Sequence, residues 1–495
     1  GMTIQPRWVP MALCLVAGVA VLITLGHSTL LGHGGSVGPW RYAVVIDAGS
    51  SGSRVYVYRW HLGRCLPSGI PNVSSVLQPD GTTAVLKLEP GLSAYKNAPR
   101  KAAESLRDLI RFAEGHVPAE QHVITPIRLM ATAGMRMLPP ATQAAILREV
   151  REFFRQTSSF DVPTDAAEII TGQRESLFTW IAANYGLGRF SRTKATTFGC
   201  LDMGGASAQI AYEVGDDVHS PTDRHGEWVI ETIWGRRVYA ATLSGFGANE
   251  ARRRYVEMSA ANLTGDEVYT DPCLPPGLVD EQARGTGGTV SLVGTGNSER
   301  CLAKVTPLLR SPAWGSFADT FLPPPEHAVA PWYGISEYWY TMEDVFRIGG
   351  PYDADKFRQK SRVFCGTEWS VLMGEYDKGM YPKAKPSRFR DQCFKAAWMR
   401  AMLHQGYRFP AERFQSASEI DGLPLQWTLG AVLYTMAGRT LCEPATSILA
   451  DEGGAAFFGT SVVYFVLAGT VIAGIGFSVA RSRRESRTRR FVSHA

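Results

Sequence analysis

The stretch VVIDAGSSGSRVYVY at 44–58 returns in altered form as GCLDMGGASAQIAYE at 199–213. At an offset of 155 residues, Asp47 falls on Asp202 and Gly49 on Gly204. Each copy reads as strand, tight turn and strand, because β-branched and aromatic residues flank a run of Gly and Ser. One copy alone is an ordinary hairpin. Two copies with an acid in the same phase are the mark of an internal duplication.

The residue types in the turns point to anion chemistry. Gly lets backbone N–H groups approach an anion without a Cβ in the way. Successive N–H groups in a turn form an anion-binding nest, and Ser hydroxyls add donors. The Asp at each strand end repels phosphate but can hold Mg²⁺ or Ca²⁺ and its waters. Two such loops facing each other would clamp an oligophosphate, with Arg54 adding charge or structure. A third small-residue turn follows the apolar run RLMATAGMRML at 128–138, with a hydroxyl at Thr132. Downstream, AAEIITGQRESLFTWIAANYGLG at 166–188 predicts an amphipathic helix starting at Glu175, with Leu177, Trp180 and Ile181 on one side. Glu175 there is either a charge on the helix N-terminus or a general base for water, and spacing leaves both open.

The chain has 495 residues and a formal net charge of +5. Six Arg and one Glu in RSRRESRTRR at 481–490, together with Arg7, hold that excess, so the rest is close to neutral. This distribution argues against nucleic-acid binding. Residues 8–31 and 457–480 carry no Asp, Glu, Lys or Arg, and each is long enough to cross a bilayer as helix. The first is expected to be an uncleaved anchor, with a cleaved signal peptide as the alternative. The basic tail 481–495 should stay cytosolic, leaving residues of about 40–455 on the lumenal or outer side. Sequons at Asn72 and Asn262 agree with this. Of the eight Cys, Cys14 lies in the first apolar segment. Cys273–Cys301 and Cys365–Cys393 are expected local disulfides. Cys200, in an apolar strand, is expected to be buried and unpaired.

With these residues in hand, the chain resembles the ectonucleoside triphosphate diphosphohydrolases, or apyrases, of the actin-like superfamily. The resemblance rests on DAGSSGSR (47–54), ATAGMRML (131–138), EIITGQRESLFTWIAANY (168–185), LDMGGASAQIAY (201–212) and QWTLGAVLY (426–434), in order. It implies an α/β fold of two RNase H-like lobes with the active-site cleft between them, flanked by N- and C-terminal transmembrane helices. Lobe I would be 41–171 with a return segment at 428–452, and lobe II 172–427. That return would bring Cys442 to the lobe containing Cys65.

By the same resemblance, Asp47 and Asp202 organise a Ca²⁺ or Mg²⁺ ion and its waters, and Trp427 stands at the metal site. Ser50, Ser51, Gly52, Ser53, Arg54, Thr132, Ala133, Gly204, Gly205, Ala206 and Ser207 bind phosphate. Glu175 is the general base, Gln209 helps hold the attacking water, and Arg54 and Arg136 are largely structural. Tyr340, in an aromatic cluster, is the candidate for stacking on the base. The third block departs from the family's usual Gln-Glu-Glu-Gly at Arg174 and Ser176, and the fourth has Ala208 in place of Thr. The segments 334–357 and 393–410 look most like the Golgi and lysosomal branch. The implied activity is metal-dependent hydrolysis of nucleoside di- and triphosphates, UDP and GDP among them, on the lumenal side of an endomembrane. A homo-oligomer associated through the spans is one implied assembly. A cell-surface apyrase acting on ATP and ADP is one competing reading. A nucleotide-binding module without turnover is another, and Glu175 discriminates against it.

Overall fold

The computed structural model describes residues 39–437 except 192–194, 217, 219–227, 264–266, 284–287, 312–314, 317–331, 410–412 and 421–422. Both apolar segments, the basic tail and Cys442 lie outside the described residues, so the expected spans and the Cys65–Cys442 pairing lie there too. Cys65 itself is disulfide-bonded. Among the described residues, no helix is long and apolar enough to cross a membrane.

The two copies of the opening stretch form the hairpins at the heart of two sheets. In the first, β1 (Trp40–Gly49) runs antiparallel to β2 (Gly52–Cys65). β2 continues to β3 (Pro71–Ser75) and β4 (Val85–Leu88). On its other edge β1 lies parallel to β5 (Ile127–Ala131), which pairs with β6 (Ala167–Ile169). The second sheet repeats this plan. There β7 (Gly199–Met203) pairs antiparallel with β8 (Ser207–Glu213), and β9 (Trp228–Ile233) and β10 (Arg236–Ser244) follow. On the far edge of β7 lies the parallel strand Trp332–Ser336, and beyond it Phe414–Ser416. The duplication is therefore real at the level of topology.

Side-chain alternation along these strands decides what faces where. In β1, Val44, Ile46 and Ala48 enter a core on the outer face of the first sheet, with Leu106, Leu109, Ile146 and Phe154. The alternate residues Ala43 and Val45 enter a middle core, and Asp47 shares their phase. In β7, Leu201 and Met203 face the outer core of the second sheet, while Cys200 faces the middle one, in phase with Asp202. Both acids thus point between the sheets. Central strands buried on both faces explain the near-continuous apolar runs around them.

The middle core is filled by two helices, Gly172–Gly186 and Trp427–Met436. Close contact between them depends on Gly430, where a Cβ would fall 1.8 Å from the carbonyl oxygen of Phe178. The helix bearing Glu175 is not amphipathic and does not begin at that residue. It starts at Gly172, with the Thr171 hydroxyl accepting from the Arg174 N–H at 3.2 Å, and is buried from Glu175 to Tyr185. Sequestration between two sheets leaves it no polar face, so its sequence lacks the expected stripe. Disulfides join Cys273 to Cys301 and Cys365 to Cys393, and Cys200 is a buried free thiol.

Candidate active site

The turn between β1 and β2 is two residues long, Ser50 and Ser51, because Gly49 already pairs with Gly52. The turn between β7 and β8 is closed by the Gly204 N–H donating to the Ser207 carbonyl at 3.0 Å. Its carbonyls at Gly204 and Gly205 accept from Ala248, Asn249 and Glu250 at the start of the helix Ala248–Ala260. With those carbonyls turned away, the loop's remaining N–H groups are free to serve an anion. The two loops meet: a Cβ on Gly205 would lie 2.8 Å from the Ser50 hydroxyl. A side chain at 205 would have to displace the Ser50 hydroxyl and the Asn249 amide.

Between the loops opens a cleft of about 1240 Å³, open solvent included. Asp47, Ser50, Ser51, Arg54, Thr132, Ala133, Glu175, Asp202, Gly204, Gly205, Ala206, Ser207, Tyr340 and Trp427 all line it. Three candidates do not: Gly52, Ser53 and Gln209, the last of which is buried and bonds the lining residue Ser207. Gly52 lies under β4, where a Cβ would strike the Leu88 carbonyl at 2.5 Å. Ser53 pairs with Leu88 and is buried. The turn ends at Ser51, and strand alternation then sends Ser53 to the outer face with Val55 and Val57. Ser53 thus stands in the β2–β4 ladder with its side chain away from the cleft, and Gly52 closes the hairpin opposite Gly49.

Three carboxylates share the cleft. Asp47 Oδ2 accepts from Arg54 Nη1 at 3.3 Å, while its buried Oδ1 has no hydrogen-bond partner among the described residues. Asp202 likewise has a buried Oδ1 without a hydrogen-bond partner among the described residues, and the Ser336 side chain lies beside its carboxylate. Burial, opposed by Arg54 and aided by Glu175, pushes Asp47 up to about 6. Burial and the nearby Glu175 raise Asp202 to about 7. Glu175 is raised by burial and drawn back by Arg136. Two orphaned hard oxygens on facing strands fit a divalent cation whose remaining ligands are water and phosphate. They do not discriminate Ca²⁺ from Mg²⁺. Among the described residues no cluster of three or more His, Cys, Asp or Glu stands ready to ligate a metal. Trp427 is a wall of this site, not a ligand, because its indole offers an N–H and no lone pair.

Glu175 is held in a network that spans the duplication. Arg136 Nη2 donates to Glu175 Oε2 at 3.0 Å and to the Ser207 hydroxyl at 3.3 Å, and Arg136 Nη1 donates to the Ile170 carbonyl at 2.9 Å. Gln209 Nε2 donates to Ser207 Oγ at 2.6 Å and reaches Glu175 Oε2 at 3.5 Å. Arg136 thus contacts the candidate base directly, beyond the structural role expected of it. Arg54 and Gln209 occupy the same place in the two hairpins, each opposite its Asp.

The departures from the family pattern lie outside the cleft. The Arg174 guanidinium stands 3.9 Å from Glu168 at the surface. Ser176 donates to the Ile210 carbonyl at 2.6 Å, and Ala208 packs into the outer core of the second sheet.

Sequence reading missed Ser336, Glu337, Arg388 and Lys395, all of which line the cleft. Arg388 lies over Tyr340, its guanidinium carbon 3.7 Å from the ring centroid, and is held there by Asp344 at 2.6 Å. Ser336 has φ of 57°. It ends the strand parallel to β7 as Ala131 ends β5 beside β1. The two positions are 205 residues apart, so the 155-residue offset of the hairpins does not reach Ser336 and only the repeated topology relates them.

Comparison with known proteins agrees with this geometry. The model of the GDA1/CD39 (nucleoside phosphatase) family matches residues 38–448. Ectonucleoside triphosphate diphosphohydrolase 4 of Homo sapiens is 34% identical over 446 residues, covering 79% of this chain and 72% of the relative. Nucleoside-diphosphatase mig-23 of Caenorhabditis elegans is 34% identical over 448 residues, covering 83% and 80%. Ectonucleoside triphosphate diphosphohydrolase 7 of Homo sapiens is 35% identical over 438 residues, covering 79% and 72%. A crystal structure of nucleoside triphosphate hydrolases from Neospora caninum shares the fold, with TM-score 0.54 at 16% identity over 84% of this chain and 96% of that one. With its paired loops, its buried glutamate and its relatives all in agreement, the chain belongs to the GDA1/CD39 nucleoside phosphatase family and is a phosphohydrolase.

Proposed function

We propose that this enzyme hydrolyses nucleoside di- and triphosphates, UDP and GDP among them, to release terminal phosphate. The observation that carries this reading is the unpartnered pair Asp47 Oδ1 and Asp202 Oδ1 beside the buried Glu175, over two opposed small-residue loops. Ser50, Ser51, Thr132, Gly204, Gly205, Ala206 and Ser207 would hold the phosphate chain, with Arg54 adding charge. Asp47 and Asp202 would hold a divalent cation, Ca²⁺ or Mg²⁺, which supplies charge neutralisation at the phosphoryl oxygens. Glu175 takes a proton from water as it attacks the terminal phosphorus, and the bond to the leaving phosphate oxygen breaks in line. Gln209 and Ser207, bonded to each other beside Glu175, orient that water. Arg136 keeps Glu175 ionised enough to act as base.

Tyr340, stacked with Arg388, stands as the nucleobase subsite at the cleft mouth. The names of the relatives, triphosphate diphosphohydrolase and nucleoside-diphosphatase, support both substrate lengths. Lobes I (41–171 with 428–452) and II (172–427), anchored by spans at 8–31 and 457–480, would face the lumen of the Golgi or another endomembrane. Exposed Asn72 and Asn262 and the two disulfides support that side.

Phosphate release from UDP, GDP, ADP, ATP, UTP and CDP by the full-length chain in detergent, with Ca²⁺, Mg²⁺ or EDTA, tests the reading. Turnover that requires the cation supports it. Nucleotide binding without turnover overturns it in favour of a binding module.

A further inference from the structure

Glu337 and Lys395 form an ion pair in the cleft wall that none of the phosphate, metal or water chemistry above uses. Lys395 Nζ lies 3.1 Å from Glu337 Oε1, and the two side chains are only 7% and 12% exposed. Desolvating two charges is costly, and an apolar pair of the same volume would close the wall at less expense. Something in the cleft must favour the carboxylate.

The two partners are fixed from different elements. Glu337 opens a short helix directly after Ser336, the residue whose side chain lies beside the Asp202 carboxylate. Lys395 projects from the helix Gln392–Arg400, beside the disulfide at Cys393. The Thr341 hydroxyl donates to Glu337 Oε1 at 3.3 Å. Both bonds to Glu337 fall on Oε1, so Oε2 takes none among the described residues and remains as acceptor for a ligand.

Position along the chain selects the ligand chemistry. On one side of Glu337 stand Ser336 and Asp202, at the phosphate end. On the other, one helical turn on, stands Tyr340 beneath Arg388, at the base end. A carboxylate repels phosphate, and one neutralised by Lys395 is poorly suited to a cation. It does accept hydrogen bonds from hydroxyls, and such bonds to an ionised acceptor are strong. Between the phosphates and the base of any nucleotide stands the sugar.

We infer that Glu337, oriented by Lys395, is a ribose-recognition residue that accepts hydrogen bonds from the 2′- and 3′-hydroxyls of the bound nucleotide. The inference rests on the nucleotide-hydrolase reading above.

The test is the ratio of kcat/KM for UDP to that for 2′,3′-dideoxy-UDP, measured on the full-length chain, with GDP and its dideoxy analogue as a second base. A loss of two charged hydrogen bonds should give the unsubstituted enzyme a ratio of about 10 or more. In Glu337→Ala the ratio should fall toward one, through KM more than kcat. Glu337→Gln keeps the shape and one acceptor, so an intermediate ratio is expected. It also serves as the readout if the alanine variant fails to fold. Lys395→Met should lower the ratio without abolishing it.

A ratio near one in the unsubstituted enzyme overturns the assignment. So does a ratio that survives Glu337→Ala, or equal losses on ribo and dideoxy substrates, which mark a structural pair. An enzyme inert toward every nucleotide fails the hydrolase reading itself, and this inference with it.

Discussion

At the scale of the residue, the proposed general base is one buried carboxylate, Glu175, whose neighbours pull its proton affinity in opposite directions. Burial raises Glu175 toward protonation, and Arg136 at 3.0 Å opposes that. Glu175→Gln is expected to lose about 100- to 10,000-fold in kcat, the usual share of a general base, while nucleotide affinity persists. Full activity in that variant would remove Glu175 from the mechanism. For Arg136→Ala the sign follows from electrostatics. Without the cation, the Glu175 carboxylic acid gives up its proton at higher pH. The acid limb of the pH–rate profile should then move up by about 1 pH unit or more. An unmoved limb would show that Arg136 only packs.

At the scale of the element, the two helices of the middle core carry chemistry and packing together. One bears Glu175 and the other begins at Trp427. Gly430 sets their separation, since a Cβ there would overlap the Phe178 carbonyl. Gly430→Val is expected to cost about 1–3 kcal/mol of stability and to lower activity as well, because the strain falls on the turn following Glu175. Thermal melting and turnover read the two effects, and a variant as stable as the parent would contradict the packing. The Gly205→Val change acts on the loops instead. It should weaken nucleotide binding by driving the Ser50 hydroxyl away, with little change in melting temperature.

At the scale of the whole molecule, the facing sheets bring the buried carboxylates Asp47, Asp202 and Glu175 into one cleft. Asp47 at about 6 and Asp202 at about 7 both lie above the ordinary carboxylate value of 3.8. The folded, metal-free protein therefore binds protons that the unfolded chain has released. The stability these groups confer is full below about pH 4 and is lost as pH rises through 6 to 7. A divalent cation needs both ionised, so the melting-temperature increase on adding Ca²⁺ or Mg²⁺ should be larger at pH 7.5 than at pH 5. An equal increase at both pH values, or one that persists in Asp47→Asn with Asp202→Asn, would place the cation elsewhere.

Much of this was written locally in the chain. The apolar runs ending at Asp47 and Asp202 determined that each acid closes a buried strand, though not which face it takes. The small residues at 49–51 and 204–206 determined where a backbone turn could admit an anion. The repeat at fixed offset determined that the molecule has two matching hairpins. These properties belong to neighbours in sequence, so sequence carries them.

Other assignments waited for the tertiary structure. Ser53 looked like a loop donor until a two-residue turn and the β4 pairing put it on the opposite face. The Glu175 helix read as amphipathic until two sheets enclosed it. Arg136 with Glu175, Arg388 with Tyr340 and Glu337 with Lys395 are pairs of residues 39 or more positions apart. Such contacts are created when separate elements fold onto one another, and no local pattern encodes which side chains will then share a low-dielectric space.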